Sequence, residues 1–195
     1  MNRTTMFAAL CATVLLSGCI SLGGAEAPDQ LLTLTPAVSV AAGTGADGSV
    51  ANALAVQVPS VTQRLNVTRI PVTTSDSSLA YLTQAYWVEK PAQLFRNLLS
   101  ETIRARGNRL VVGGGELEYA AQTQLSGQLV EMGYDATRGG VVVVYDAVLQ
   151  LPGGEVRTRR FEERVSGVPA EAGAVGAALN EAANAVAGEV ADWVG

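Results

Sequence analysis

The residue with the most distinctive chemistry is Cys19, a thiol that follows small residues near the start of the chain. Arg3 gives the chain a basic start, and an apolar run from Met6 to Leu16 leads up to the cysteine. The run is too short to cross a bilayer, which takes about 20 apolar residues, and its layout is that of a secretory signal. The pattern predicts a signal peptide over residues 1–18, with Cys19 at the start of the mature chain.

The sequence Leu16-Ser17-Gly18-Cys19 resembles the lipobox of bacterial lipoproteins, in which the cysteine thiol takes a diacylglycerol. The alternative is an ordinary cleaved signal with an incidental cysteine. The resemblance implies three acyl chains on Cys19, and stable anchoring takes at least two such signals. The familiar sorting rule retains lipoproteins in the inner membrane when Asp follows the cysteine, so Ile20 favours the outer membrane, facing the periplasm. Residues 19–30, small and polar after the anchor, are predicted to tether the domain.

Composition excludes most catalytic and metal chemistry. The chain has no histidine and carries two cysteines, of which Cys11 leaves with the signal. It therefore lacks the commonest general base and metal ligand, and it has no cysteine left for a disulfide once Cys19 is lipidated. Lys90 is the only lysine, which leaves little basis for a Ser-Lys pair. We expect no catalytic residue, metal or cofactor, and the net charge of −5 without a run of like charges argues against nucleic acid.

The first half of the domain predicts short strands and one helix. Strands are expected at residues 31–35, 54–58, 66–72 and 109–112, with Pro71 restricting the third to an edge or a strand end, and short strand or bridge segments at residues 79–82 and 86–88. A helix should start at Pro91 and end near Gly107, which suits the left-handed conformation. Residues 113–115, all glycine, read as a loop or bulge with no helix after them, and residues 37–49 as a flexible loop.

The second half predicts three long strands, at residues 122–134, 140–151 and 155–165, followed by a helix from Pro169 to about Val194. The third of these strands is highly charged and is expected at an edge of the sheet. The fold class is therefore α/β (α+β): one domain over residues 31–195, in which a mostly antiparallel sheet of about six strands is covered on one face by two long helices.

Four residues are candidate partner contacts. Trp87 precedes the first helix, and indoles are enriched at interfaces, although packing across the start of the helix is the favoured alternative. Arg157, Arg159 and Arg160 lie on the charged strand, where a partner or a phospholipid headgroup can use them; a solvated strand edge is the favoured alternative.

Several segments together resemble the ABC-type transport auxiliary lipoprotein family. They are a short strand near the lipidated cysteine, Pro59 and Arg64, the stretch Asn66-Val67-Thr68-Arg69, the box Tyr86-Trp87-Val88-Glu89-Lys90-Pro91 opening a helix, a long hairpin, and a final helix that closes with Trp193-Val194. The loop at residues 37–49 departs from the family pattern as a longer, glycine-rich insertion.

The resemblance implies a non-catalytic subunit that docks a periplasmic conduit at the outer membrane. Its partners would be an MCE (mammalian cell entry) substrate-binding protein that carries phospholipid or another hydrophobic molecule, with an ABC permease and its ATPase. A periplasmic lipid-binding carrier and an envelope scaffold or assembly lipoprotein stay open as alternatives, as does homo-oligomerisation.

Overall fold

The computed structural model describes residues 31–107, 109–113 and 116–195. The predicted signal peptide, Cys19 and the tether lie outside the described residues. The strands are β1 Leu54–Val56, β2 Ser60–Val61, β3 Arg69–Ser75, β4 Ser78–Tyr86, β5 Val111–Val112, β6 Thr123–Asp135, β7 Gly140–Gln150 and β8 Val156–Ser166, and the helices are α1 Pro91–Arg106, α2 Glu116–Ala120 and α3 Ala172–Val194. Of the helices in the described ranges, none is long and apolar enough to cross a membrane.

The sheet is organised around β6, which is 13 residues long. One side of β6 pairs antiparallel with β7, which pairs antiparallel with β8. The other side pairs in succession with β1, β2 and β3, all parallel. Beyond these, β5 adds parallel to β1 and β4 adds antiparallel to β3. The longest ladders are antiparallel, so the predicted α+β class is confirmed. The described residues hold eight strands rather than about six, and three of them are only two or three residues long.

The two long helices cover the same face of the sheet. Phe95 of α1 contacts the ring of Tyr145 edge-on at 5.2 Å between centroids, and Trp193 of α3 contacts Phe161 at 5.7 Å. Tyr145 and Phe161 are directly opposite each other on β7 and β8, and such residues share a face. Each helix buries one apolar stripe there, with only Trp193 of α3 partly exposed, because a helix with one apolar stripe is stable when that stripe leaves water.

Burial changes along β7. The first half of the strand is buried on both faces, whereas its second half alternates between buried and more exposed residues. The neighbouring strand β8 exposes most of its side chains and, within the described residues, pairs with β7 alone. The charged strand is thus confirmed as an edge, where charge opposes pairing with another chain.

Three predictions about the first half of the domain are wrong. Residues 31–35 form no strand, since only Leu32 makes an isolated bridge. Strand β3 is interior, between β4 and β6, despite Pro71. Two features accommodate Pro71 inside the sheet. The register with β4 shifts between Arg69 and Pro71, and Gly133 of β6 has no side chain to clash with the proline, since a Cβ there would lie 2.5 Å from Pro71 O. The strand or bridge segments predicted at residues 79–82 and 86–88 are not separate: β4 runs through both as far as Tyr86, distorted around Gln84 at a φ of 54°, and Trp87 then forms the bridge to Leu32.

Two glycine-based predictions also fail. Gly107 follows α1 but has a φ of −98°, in the extended region, so the helix ends without a left-handed residue. The short helix α2 follows the glycine run, contrary to the expectation that none would. Its five residues are too few for the helical periodicity to be visible in the sequence.

Candidate functional site

The first described residues of the chain are docked on the domain. Leu32 N–H donates to Tyr86 O at 2.7 Å, and Val88 N–H donates to Leu32 O at 2.8 Å. The Leu32 side chain occupies space that Gly176 of α3 leaves open, because a Cβ there would lie 2.7 Å from Leu32 Cδ2. The chain therefore joins the domain beside the start of α1 and the second turn of α3.

Two asparagines on α3 hold the extended segment that follows. Thr35 N–H donates to Asn180 Oδ1, and Ala37 N–H donates to Asn184 Oδ1, each at 2.7 Å. Asn184 Nδ2 also donates to Thr35 O at 2.9 Å. The peptide groups of this segment have no neighbouring strand to bond to, so the two side-chain amides supply the hydrogen bonds that a strand would otherwise provide. We call Asn180 and Asn184, with the backbone groups of Thr35 and Ala37, the amide clamp.

No sequence pattern predicts the amide clamp directly. The only signal was a pair of asparagines four residues apart in an alanine-rich helix, a spacing that places both on one face. Their backbone partners are about 145 residues away in the chain. Nothing in the local pattern could pair the two segments.

The domain has two distinct ends. Leu32 marks the tether end, where both α1 and α3 begin. The C-terminal ends of the helices also lie together, with Arg106 Nη1 of α1 at 3.3 Å from Asp192 Oδ2 of α3. We call this second region the far end. Strand β8 runs from Val156 at the far end to Ser166 at the tether end, about 34 Å at about 3.4 Å per residue.

The outer surface at the tether end carries two exposed apolar side chains. Leu31 is 56% exposed and Val88 51% exposed. Side chains alternate along extended backbone, so both point away from the side on which Leu32 and Trp87 are held. Thr33 and the partly exposed Tyr86 lie on the same outer side. We call Leu31, Thr33, Tyr86 and Val88 the outer patch.

The far end carries a groove and exposed apolar side chains. An open groove of about 710 Å³ lies between residues 39–47 and the end of α1. Arg104 in its wall pairs with Glu101 at 2.7 Å, and Arg109 donates to Val194 O at 3.3 Å. Arg104 is thus ion-paired, whereas Arg109 is hydrogen-bonded to a neutral carbonyl in that contact. Tyr119, 86% exposed, lies on the nearby short helix α2.

The structure places Trp87 in the core rather than on the surface. The side chain is 2% exposed, and its Nε1 has no hydrogen-bond partner in the described residues. This position agrees with packing across the start of α1. A partner could reach Trp87 only after the segment around Leu32 had moved.

The structure divides the three candidate arginines between the two faces of the sheet. Arg157 and Arg159 lie opposite buried residues of β7 on the helix-covered face, and Arg160 lies opposite Asp146 on the other face. Arg160 makes a two-pronged ion pair with Asp146 at 2.6 Å, and Arg157 pairs with Glu155 at 2.7 Å. The Arg159 guanidinium lies 4.9 Å above the Phe161 ring. The three therefore form no single basic surface.

Three side chains have pKa values shifted by their surroundings. The hydrogen bonds from Arg160 hold the pKa of Asp146 below its ordinary value. The Thr137 hydroxyl, followed by backbone N–H groups, lowers the pKa of Asp135 in the turn between β6 and β7. Burial raises the pKa of Tyr145, whose hydroxyl donates to Ser126 O at 2.7 Å. Each group keeps its usual charge state at neutral pH, and the described residues contain no cluster of three or more His, Cys, Asp or Glu suited to a metal.

The fold itself is shared with solved structures. One is an uncharacterized protein, 16% identical, with a TM-score of 0.66; the match covers 74% of this chain and 92% of that one. Another is protein XCC0632 from Xanthomonas campestris, a DUF330 protein, 18% identical, with a TM-score of 0.65, covering 86% of this chain and 92% of that one. At these identities the likeness establishes the fold alone. A comparison with curated proteins finds no match.

The class defined by the fold is thus an α+β domain with a docked N-terminal segment. Residues 31–191 match the family model of the ABC-type transport auxiliary lipoprotein component, so the chain belongs to this family. The match begins at the first docked residue, Leu31, and ends within α3. The family assigns the protein to the lipoproteins that accompany ABC-type transport, which suggests the cell envelope as its location.

Proposed function

We propose that this protein is the outer-membrane lipoprotein subunit of an ABC/MCE lipid transport system and docks the periplasmic conduit there. The family match over residues 31–191 carries the proposal, because it associates the domain with ABC-type transport. The lipobox ending at Cys19 supports lipid anchoring, and Ile20 supports the outer membrane as the destination. The MCE protein, with its permease and ATPase, is the proposed partner; this subunit does no catalysis.

The arrangement of the two ends fits a docking role. Because the tether joins the domain at Leu32, the tether end lies toward the membrane that holds Cys19, and the far end is free to turn toward the periplasm. The far end carries the groove and the exposed Tyr119. Arg157 and Arg159 lie in the half of β8 nearest this end and are proposed to contribute there.

The packing between helices and sheet disfavours a lipid carrier. A carrier would hold an acyl chain between these layers, where the Phe95–Tyr145 and Phe161–Trp193 ring contacts instead fill the space. Interiors packed in this way do not accept a chain without displacing side chains.

Gene deletion with complementation tests the proposed function. Loss of the gene should disturb outer-membrane lipid asymmetry and raise sensitivity to hydrophobic compounds, and the wild-type gene should restore both. Cys19→Ser should fail to restore them because the anchor is lost, whereas Cys11→Ser, within the predicted signal peptide, should restore them fully. Unchanged lipid asymmetry and sensitivity after deletion would contradict the proposal and favour an envelope scaffold.

A further inference from the structure

We infer that the outer patch at the tether end rests on the bilayer that holds the lipid anchor, so that the domain has a fixed membrane-facing side. The inference deepens the proposed function and rests on its lipid anchor at Cys19. It assigns a binding surface, Leu31, Thr33, Tyr86 and Val88, with a phospholipid surface as its occupant.

The tether brings this surface to the membrane. Residues 20–30 join Cys19 to Leu31, and eleven residues span at most about 40 Å when fully extended. The anchor therefore keeps the outer patch near the lipid at an effective concentration on the order of millimolar. A surface too small to bind vesicles alone can bind when it is held so close, since the entropy of association is already lost.

The composition of the outer patch suits the boundary between headgroups and acyl chains. Leu31 and Val88 are exposed apolar side chains, and tyrosine, here Tyr86, is enriched at membrane–water interfaces. Lys90 lies two residues beyond Val88, where a lysine can keep its apolar stem along the surface and its ammonium among phosphates. Its Nζ lies 3.0 Å from Asn66 Oδ1, a neutral partner that leaves the charge uncompensated by a carboxylate in that contact.

The segment that follows Leu31 is held firmly on the domain. The Leu32–Trp87 bridge and the amide clamp attach the chain to the domain immediately after Leu31. The tether therefore enters the domain at a fixed point, at the outer patch itself.

Fluorescence quenching in vesicles tests the inference on the full-length lipidated protein. Once the signal is removed and Cys19 is acylated, an introduced cysteine is the only free thiol. Val88→Cys is labelled with a polarity-sensitive fluorophore, and the protein is placed in phosphatidylethanolamine–phosphatidylglycerol vesicles with or without a nitroxide on the acyl chains. Val156→Cys, at the far end and similarly exposed at 57%, is the matched control.

The label at position 88 should be quenched at least twofold more strongly than the label at position 156. Equal quenching at the two positions, or none at position 88, would overturn the inference. A label at position 88 that is shielded from water but insensitive to the lipid nitroxide would also overturn it, in favour of a second copy or a partner protein. Flotation separates the two failures: protein that does not float with vesicles contradicts the anchor as well, whereas floating protein without quenching contradicts only the membrane contact.

Discussion

Asn184 accepts a hydrogen bond from Ala37 N–H at 2.7 Å across 147 residues of sequence. The same side chain donates to Thr35 O, so one amide binds the backbone on both sides of Pro36. The start of the domain is thereby attached to α3 by polar contacts, whereas the rest of the fold is held mainly by apolar packing. This attachment makes the segment around Pro36 part of the domain.

Removing the amide clamp should loosen the N-terminal segment without unfolding the domain. Asn184→Ala deletes three hydrogen bonds, two of them to the N-terminal segment, each worth about 1 kcal/mol and less at an exposed site. The amide of Ala37 should then exchange with deuterium roughly tenfold faster, while strand amides in β6 and β7 keep their protection. The control is Glu181→Ala, an exposed neighbour on the same helix. Unchanged exchange at Ala37 would show that the clamp adds nothing to the attachment.

The close approach of Pro71 to Gly133 should make position 133 intolerant of a side chain. A Cβ there would meet Pro71 O at 2.5 Å, and this backbone atom cannot turn aside. Gly133→Ala should lower the free energy of unfolding by about 1–3 kcal/mol, the range for overpacking. Gly173→Ala, in the first turn of α3 with open space around it, should leave stability equal or higher. Urea denaturation of both variants measures the difference, and equal stabilities would contradict the close contact.

Trp87 should matter more for stability than for partner binding. Trp87→Ala empties a buried site and should cost about 3–5 kcal/mol in unfolding free energy. Trp87→Phe keeps an aromatic ring and removes the unpaired Nε1–H, so its cost should be much smaller. Thermal unfolding measures the first effect and partner affinity of the folded Phe variant the second. A Phe variant with intact stability but clearly weakened binding would place Trp87 in the interface.

The Asp135 turn should contribute stability that depends on pH. Because hydrogen bonds from Thr137 lower its pKa in the folded state, the stabilisation is present above the unfolded pKa of about 3.9. It is lost as the pH falls through the lower folded pKa. Asp135→Asn should therefore reduce the Tm at pH 7, and its deficit relative to wild type should shrink below about pH 4.

Asp76→Asn, in the exposed turn between β3 and β4, is the matched control for the loss of one negative charge. It should leave the Tm close to that of wild type across the same pH range. A Tm deficit in Asp135→Asn that stays constant from pH 7 to pH 3 would contradict the hydrogen-bonded carboxylate as its source.

The parts of the fold with strong periodicity were predictable from sequence. The strands β6 and β7 and the helices α1 and α3 have long apolar patterns, whereas β8 is recognisable by its charge. The existence of all five elements and the edge position of β8 are confirmed. Where the sequence pattern is short, contacts between residues distant in the chain determine the local structure. Pro71 indicated an edge, but the glycine that accommodates it, Gly133, is 62 residues away.

The features of the candidate site also differ in how far the sequence predicts them. A lipobox is a local pattern and predicts anchoring at Cys19, which lies outside the described residues. The amide clamp and the outer patch depend on residues brought together by the fold, so no local spacing predicts them. The exposure of Val88 beside a buried Trp87 became visible only with the bridge to Leu32.

Crosslinking of native envelopes, followed by mass spectrometry with this lipoprotein as bait, tests the proposed function most directly. A photoreactive residue is placed at Tyr119 or Arg159 toward the far end, and at Val88 on the tether end as a control. The account predicts that the far-end positions capture an MCE-domain protein, together with its ABC permease, and that position 88 does not. Recovery of outer-membrane assembly proteins alone, with the bait well sampled, would contradict it.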